Sequence, residues 1–227
     1  MKIKKKFFEI PCECIKDLVL EPCFKFNSDG MFINSFSDSN VAMCIFELLK
    51  SKFEEYQFEE EKRFKIDIDI LNKIVKRIKT EYILLDFIDE RLIISDTNNK
   101  QYSMAVMYDD ETERGIPKID FNANFKMKSI DLQSLFLDAK VTGENIMIET
   151  QEKLKLFSGK LNKFKQEVEV ELKGEGKSYY NLDFLLKFLT ASKYFENVLF
   201  EFASDSPCKL TFEGDLKIQY ILAARCE

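Results

Sequence analysis

ILNKIVKRIKT (Ile70–Thr80) is the stretch that organises the reading of this chain. Ile70, Leu71, Ile74, Val75 and Ile78 recur at i, i+1, i+4, i+5 and i+8, which is one apolar face of a helix. Lys73, Lys76, Arg77 and Lys79 fall on the other side, and no acid lies between Ile70 and Thr80. Solvated helix faces usually mix lysine with glutamate, because like charges one turn apart cost a few tenths of a kcal/mol. Unopposed cations therefore point to an anionic partner, and nucleic acid is the natural one. Just upstream, Asp67 and Asp69 in KIDIDIL raise the question of a metal pair. Two carboxylates without further ligands favour strand-end and helix-cap roles instead.

Around that helix the chain is acidic. Its 227 residues carry a net charge of -6, with 33% charged and 45% apolar residues, enough for one large core or two small ones. A uniformly acidic surface repels nucleic acid, so DNA binding demands that the cations be segregated onto one face. Histidine is absent, which removes the usual general base and the Ser/His and Cys/His nucleophile pairs. Six cysteines (Cys12, Cys14, Cys23, Cys44, Cys208, Cys226) form no C-x-x-C pair and read as reduced, intracellular thiols. The N-terminal MKIKKKFFEIP has too short an apolar run for a signal peptide and reads as a strand with lysines on its solvent side. No apolar run reaches the roughly 18 residues of a membrane helix, so the chain is expected to be soluble. No G-x-G-x-x-G or P-loop occurs.

Further helices are predicted at Pro11–Leu20, Ser129–Lys140 and Asn181–Lys193, with Ser129 and Asn181 (or Ser178) as N-caps. A hairpin is predicted over Phe24–Phe36, turning at Asn27–Gly30. Strands follow at Val41–Leu48, Phe64–Ile68, Tyr82–Phe87, Leu92–Ser95 and Gln101–Met107. In the second half they fall at Asn145–Thr150, Lys153–Phe157, Leu161–Lys165, Glu167–Leu172, Val198–Phe202, Lys209–Glu213 and Lys217–Leu222. The polar segment YDDETERGIPKID (Tyr108–Asp120) divides the chain nearly in half. Each half holds two helices and a similar number of strands. The order of elements repeats although the residues do not, as in two like domains (1–107 and 121–227) joined by a connector (108–120). No stacking aromatics accompany the cations and no Arg/Asn/Gln set suggests base readout. What remains is sequence-independent, salt-sensitive phosphate attraction.

Four ordered blocks resemble one family, proliferating cell nuclear antigen (PCNA). They are IKDLVLEPCFKFNSDGMFINSFSDSNV (Ile15–Val41), DILNKIVKRIKTEYILLDF (Asp69–Phe87), RGIPKIDFNANFKM (Arg114–Met127), and the pair SPCKLTFE (Ser206–Glu213) and KIQYILAARCE (Lys217–Glu227). The resemblance implies an α+β DNA clamp fold: two similar domains, each with two helices packed on antiparallel sheets, assembling into a closed homotrimeric ring without catalytic residues or cofactor. Helices line the hole, and Lys16, Lys73, Lys76, Arg77, Lys79, Lys140, Lys187 and Lys193 face double-stranded DNA. It also implies a hydrophobic pocket for the PIP-box peptides of DNA polymerase, clamp loader, flap endonuclease and DNA ligase. Its matching positions are Phe36, Val41, Met43, Ile116, Pro117, Phe121, Pro207, Ala223, Ala224, Arg225 and Cys226. The subunit contact falls at Leu161–Lys165 against Tyr102–Val106.

Departures from the family pattern bear on both sites. The loop acid, Asp38, comes one position late and Phe36 replaces methionine. Ala224 stands for proline and Cys226 for an aliphatic residue. Asp183 stands where a base is common, and the third helix lacks the usual arginines, so the hole is expected to be less positive than is typical. Gly115-Ile116-Pro117 suggests a eukaryotic nucleus, with the chromosome-bearing cytoplasm as the alternative. Three other readings compete: a checkpoint-type or heterotrimeric clamp subunit, a metal-dependent nuclease using Asp67 and Asp69, and an interaction module with no DNA role.

Overall fold

The computed structural model describes residues 1–57, 60–108 and 115–226. Part of the predicted connector, residues 109–114 including Arg114, lies outside the described residues, as does Glu227. The chain divides into two compact units. The first comprises Met1–Asp38, Cys44–Ile116 and Asp215–Ile218; the second comprises Ser39–Met43, Pro117–Gly214 and Gln219–Glu227.

In chain order the elements up to the connector are β1 (Lys2–Lys4), α1 (Lys5–Ile15), β2 (Cys23–Asn27), β3 (Gly30–Phe36), β4 (Ala42–Leu49), β5 (Phe53–Glu55) and β6 (Lys62–Lys65). They continue with α2 (Ile68–Arg77), β7 (Tyr82–Ile88), β8 (Arg91–Asp96), β9 (Gln101–Ala105) and β10 (Met107–Tyr108). Beyond it come β11 (Ala123–Lys128), α3 (Ser129–Lys140), β12 (Asn145–Thr150), β13 (Leu154–Ser158), β14 (Phe164–Val168), β15 (Glu171–Lys173) and β16 (Gly176–Asn181). The last are α4 (Leu182–Phe188), β17 (Asn197–Phe202), β18 (Cys208–Glu213) and β19 (Lys217–Leu222).

The first unit contains an antiparallel sheet in the order β5-β1-β7-β8-β9 and a run ordered β10-β6-β2-β3-β4. Phe24, Phe26 and Phe64 stack between neighbouring strands at 5.9 and 6.0 Å, and Phe87 of β7 meets Phe26 and Phe64 edge-on. Phe8 of α1 reaches Phe24 at 6.3 Å, so the helix pair α1–α2 is seated on this aromatic layer. The hairpin turns where predicted: Asn27 pairs with Gly30, and a Cβ on Gly30, whose φ is +150°, would run into the Leu48 carbonyl oxygen.

The second unit has a sheet ordered β14-β13-β12-β16 and a run ordered β19-β18-β17-β11-β15. Phe125 stacks on Phe200 at 5.0 Å, and Phe188 of α4 stacks on Tyr220 at 4.5 Å. Tyr180 is fully buried and spends its hydroxyl on the Ser206 carbonyl oxygen at 2.8 Å. Each fully buried aromatic of this size removes about 150–250 Å² from water. Cys12, Cys14, Cys23, Cys44 and Cys208 are free and buried among them, and burial pushes the Cys44 thiol up to about 12. Among the described residues no helix is long and apolar enough to cross a membrane.

Several expectations need correction. Residues 5–10, read as strand, open helix α1, and the first helix ends at Ile15 instead of Leu20. Phe7, Phe8, Pro11, Cys12 and Ile15 repeat the i, i+1, i+4, i+5, i+8 pattern of α2 and are all buried. Pro11 sits inside the helix, where it withholds the N–H that would bond to the Phe7 carbonyl. Ile70 is 48% exposed, so the buried face of α2 runs instead through Ile68, Leu71, Val75 and Ile78. Ser129 is the first residue of α3 and makes no cap bond. The strands predicted at Leu161–Lys165 and Glu167–Leu172 lie further along, as β14 and β15.

Candidate functional site

Asp67 accepts a hydrogen bond from the Ile70 N–H at 2.9 Å and caps helix α2. Its carboxylate satisfies one of the first-turn donors. Among the described residues no cluster of three or more His, Cys, Asp or Glu side chains is placed to share a metal ion. With Leu71, Val75 and Ile78 fully buried, Lys73, Lys76, Arg77 and Lys79 are turned to solvent. Lys76 and Arg77 occupy the last turn, where cations suit the negative end of the helix dipole. The Lys79 ammonium donates to the Lys76 carbonyl oxygen at 3.4 Å.

These cations are not equivalent. Lys76 is ion-paired to Glu13 of α1, and Lys16 approaches the other oxygen of the same carboxylate at 3.8 Å. Lys73 and Arg77 are exposed and have no carboxylate partner among the described residues. By sequence all four α2 cations look unopposed, since no acid lies between Ile70 and Thr80, but the acid comes from the helix packed beside α2.

In the second unit, α3 packs against α4, and Lys140 is ion-paired to Asp183 at 2.9 Å. Lys187 is exposed with its ammonium 5.5 Å from the Phe184 ring centre, and Lys193 is exposed at the end of the 3-10 turn Leu189–Lys193. The outward side of α3 carries Ile130, Asp131, Leu137 and Asp138 beside Lys140. This surface is weakly positive at best.

The residues matched to the peptide pocket fall into distinct environments. Phe36, at the end of β3, is half-buried. Ile116 is 51% exposed and lines a cavity of about 160 Å³ with Phe32, Asn34, Ile45 and Glu47 in the first unit. In the second unit Val41 is 36% exposed and Met43 only 2%, so Met43 underlies the surface without forming it. The C-terminal tail is held in extended form: Ala223 N–H donates to the Val41 carbonyl at 2.9 Å, and Arg225 N–H to Tyr179 at 2.8 Å. Pro207 is half-buried, and the carbonyl before it is fixed by the hydroxyls of Tyr180 and Ser178. Ala224 is half-buried; Pro117, Ala223, Arg225 and Cys226 are exposed. Phe121 lies under the Lys209 ammonium at 4.9 Å, and Lys209 is itself paired to Glu201 at 2.8 Å. Neither Lys209 nor Glu13 was picked out from the sequence, because each acts on a residue distant along the chain.

Two units, each setting a pair of helices on antiparallel sheets, define a DNA clamp fold. Two solved structures match it over the full chain. The structure described as the C-terminal region of FEN-1 bound to A. fulgidus PCNA matches with a TM-score of 0.89 and 24% identity, covering 100% of this chain and 98% of that one. PCNA from Thermococcus kodakaraensis matches with a TM-score of 0.90 and 17% identity, covering 99% of each. Curated relatives include DNA polymerase sliding clamp 1 of Pyrobaculum aerophilum, 28% identical over 99% of this chain and 97% of that one. The DNA polymerase sliding clamp of Thermofilum pendens is 24% identical over 95% and 94%. The family profile "Proliferating cell nuclear antigen, N-terminal domain" matches residues 3–136. The chain belongs to the PCNA family.

Proposed function

We propose that this chain is the subunit of a DNA polymerase sliding clamp: a closed ring that encircles duplex DNA and tethers replication and repair enzymes to it. The observation that carries the reading is the segregation of charge. In a chain of net charge -6, the outward face of α2 holds Lys73, Arg77 and Lys79 with no ion-paired carboxylate among the described residues, and α1 beside it reaches a phenylalanine layer through Phe8. Such a face attracts phosphate without reading bases. A ring needs no more than this, since topology retains the clamp while weak contacts let it slide. Holding a polymerase beside its template raises its effective concentration, so it rebinds faster than it diffuses away.

Ring closure pairs free sheet edges. β9 ends one sheet of the first unit and β14 ends one sheet of the second. An unpaired edge is a template for another strand, and β14 of one subunit against β9 of the next gives a head-to-tail contact that closes after three copies. This places the contact at Phe164–Val168, with Leu161, 97% exposed, in the loop before it. Partner peptides dock on Val41, Pro117, Phe121, Pro207 and the tail Ala223–Cys226, to which the resemblance adds Phe36 and Ile116. An apolar anchor and backbone pairing with an extended segment are the ordinary means for such docking. Polymerase, clamp loader, flap endonuclease and ligase are the partner classes. No catalytic step is assigned. The two curated relatives named above are archaeal, which favours the chromosome-bearing cytoplasm over a nucleus.

The test is primer extension by a family-matched polymerase and clamp loader on a singly primed circular template. Long products appear with this protein and shorten toward the unassisted length for Lys73→Gln/Arg77→Gln. Product lengths indifferent to the protein contradict the proposal.

A further inference from the structure

We propose that Glu13 is a counter-charge built into the DNA-facing surface, which draws Lys76 and Lys16 away from phosphate and sets how loosely the clamp holds a duplex. The inference rests on the sliding-clamp reading and adds to it a residue that acts through others.

Glu13 lies on α1 with only 8% of its surface exposed. One carboxylate oxygen takes the Lys76 ammonium from α2 and the other faces Lys16 at 3.8 Å. Asn72 of α2, 5% exposed, hydrogen-bonds to the same carboxylate. Burial alone would push the Glu13 carboxyl up. The hydrogen bonds from Lys76 and Asn72, with the charge of Lys16, outweigh it and hold Glu13 below the ordinary carboxylate value. It is therefore a permanent anion at neutral pH. The nearby Glu9, one turn earlier, is already occupied by Lys5 at 3.5 Å.

The consequence is a division among cations that look alike in sequence. Lys73 and Arg77 offer a full charge to solvent, while Lys76 and Lys16 share one buried negative charge. A well-packed apolar side chain would join α1 to α2 at least as firmly, since a buried ion pair gains little net stability over hydrophobic contact. The ionised carboxylate does something an apolar residue would not: it removes positive charge from a surface that must not grip.

The experiment measures binding of the intact protein to a labelled linear duplex by fluorescence anisotropy over a range of KCl concentrations. Each phosphate contact contributes about 0.9 to the slope of log affinity against log salt, so one more contact makes a fourfold drop in salt worth roughly threefold more affinity. Glu13→Gln, which keeps the side-chain shape, is expected to steepen the slope by about one to two contacts. Glu13→Gln/Lys76→Gln should fall back toward the parent slope. In the parent background, Lys76→Gln should flatten the slope less than half as much as Arg77→Gln does. Light scattering of each variant confirms assembly. If Glu13→Gln leaves the slope unchanged while Arg77→Gln flattens it, the counter-charge is overturned and the clamp reading stands. If Lys73→Gln and Arg77→Gln also change nothing, the DNA-facing surface itself is wrongly placed. Should Glu13→Gln not fold, the comparison of Lys76→Gln with Arg77→Gln decides alone: equal losses refute the proposal.

Discussion

Asp67 and Asp69 stand two apart in the chain and do different work. Asp67 closes the first turn of α2 through the Ile70 N–H, whereas Asp69 is an exposed acid in that turn. Asp67→Ala should cost about 1 kcal/mol of stability, and Asp69→Ala about half that or less, read from urea denaturation midpoints. Equal effects would mean that the cap bond contributes nothing. This cap was legible in the sequence because it is local: a short acid before an apolar helical repeat. The same locality explains Asn181, which accepts from the Asp183 and Phe184 N–H groups at 3.0 and 3.3 Å. Glu13 was illegible for the opposite reason. Nothing in the residues around it announces that Lys76 will be its partner, and a helix read alone counts as unopposed a cation that its neighbour neutralises.

Helix α1 shows how one local rule can hide another at the level of elements. Pro11 and a run of lysines spoke for a strand followed by a late helix, yet the apolar spacing Phe7, Phe8, Pro11, Cys12, Ile15 matches that of α2. Burial of that face on the aromatic layer outweighs the one lost backbone bond. By contrast α3 begins and ends where its periodicity placed it, at Ser129 and Lys140. The edge strand β14 lies a few residues beyond its predicted place because FKQEV is largely exposed and lacks the clean alternation that fixes register in a one-sided sheet. That displacement matters, since β14 and β9 are the edges assigned to ring closure. If the proposed trimer forms (three 26.7 kDa chains, about 80 kDa), hydrogen exchange should find protected amides in both Gln101–Ala105 and Phe164–Val168. Dilution to monomer should release them, while residues 161–163 exchange quickly throughout. Outward amides of β14 that exchange freely in the trimer would move the contact elsewhere.

For the whole molecule, the decisive quantity is where charge lies relative to fold. A net charge of -6 disfavours contact with DNA unless cations are gathered, and the first unit gathers them on α2. In the second unit Asp183 neutralises Lys140, so of the cations assigned to the DNA-facing set there only Lys187 and Lys193 lack a carboxylate partner among the described residues. Asp183 stands out in the sequence as an acid where a base is common, and its ion pair with Lys140 is what that acid does in the fold. With so few free cations, charge alone gives only weak, salt-sensitive contacts, so lasting retention on DNA must come from enclosure. The most direct measurement loads the protein with a clamp loader onto a nicked circular plasmid, then gel-filters it in high salt before and after linearisation. The account predicts that the protein co-elutes with circular DNA and is lost once a single cut opens an end. Equal retention on circular and linear DNA, or release from both, would contradict it.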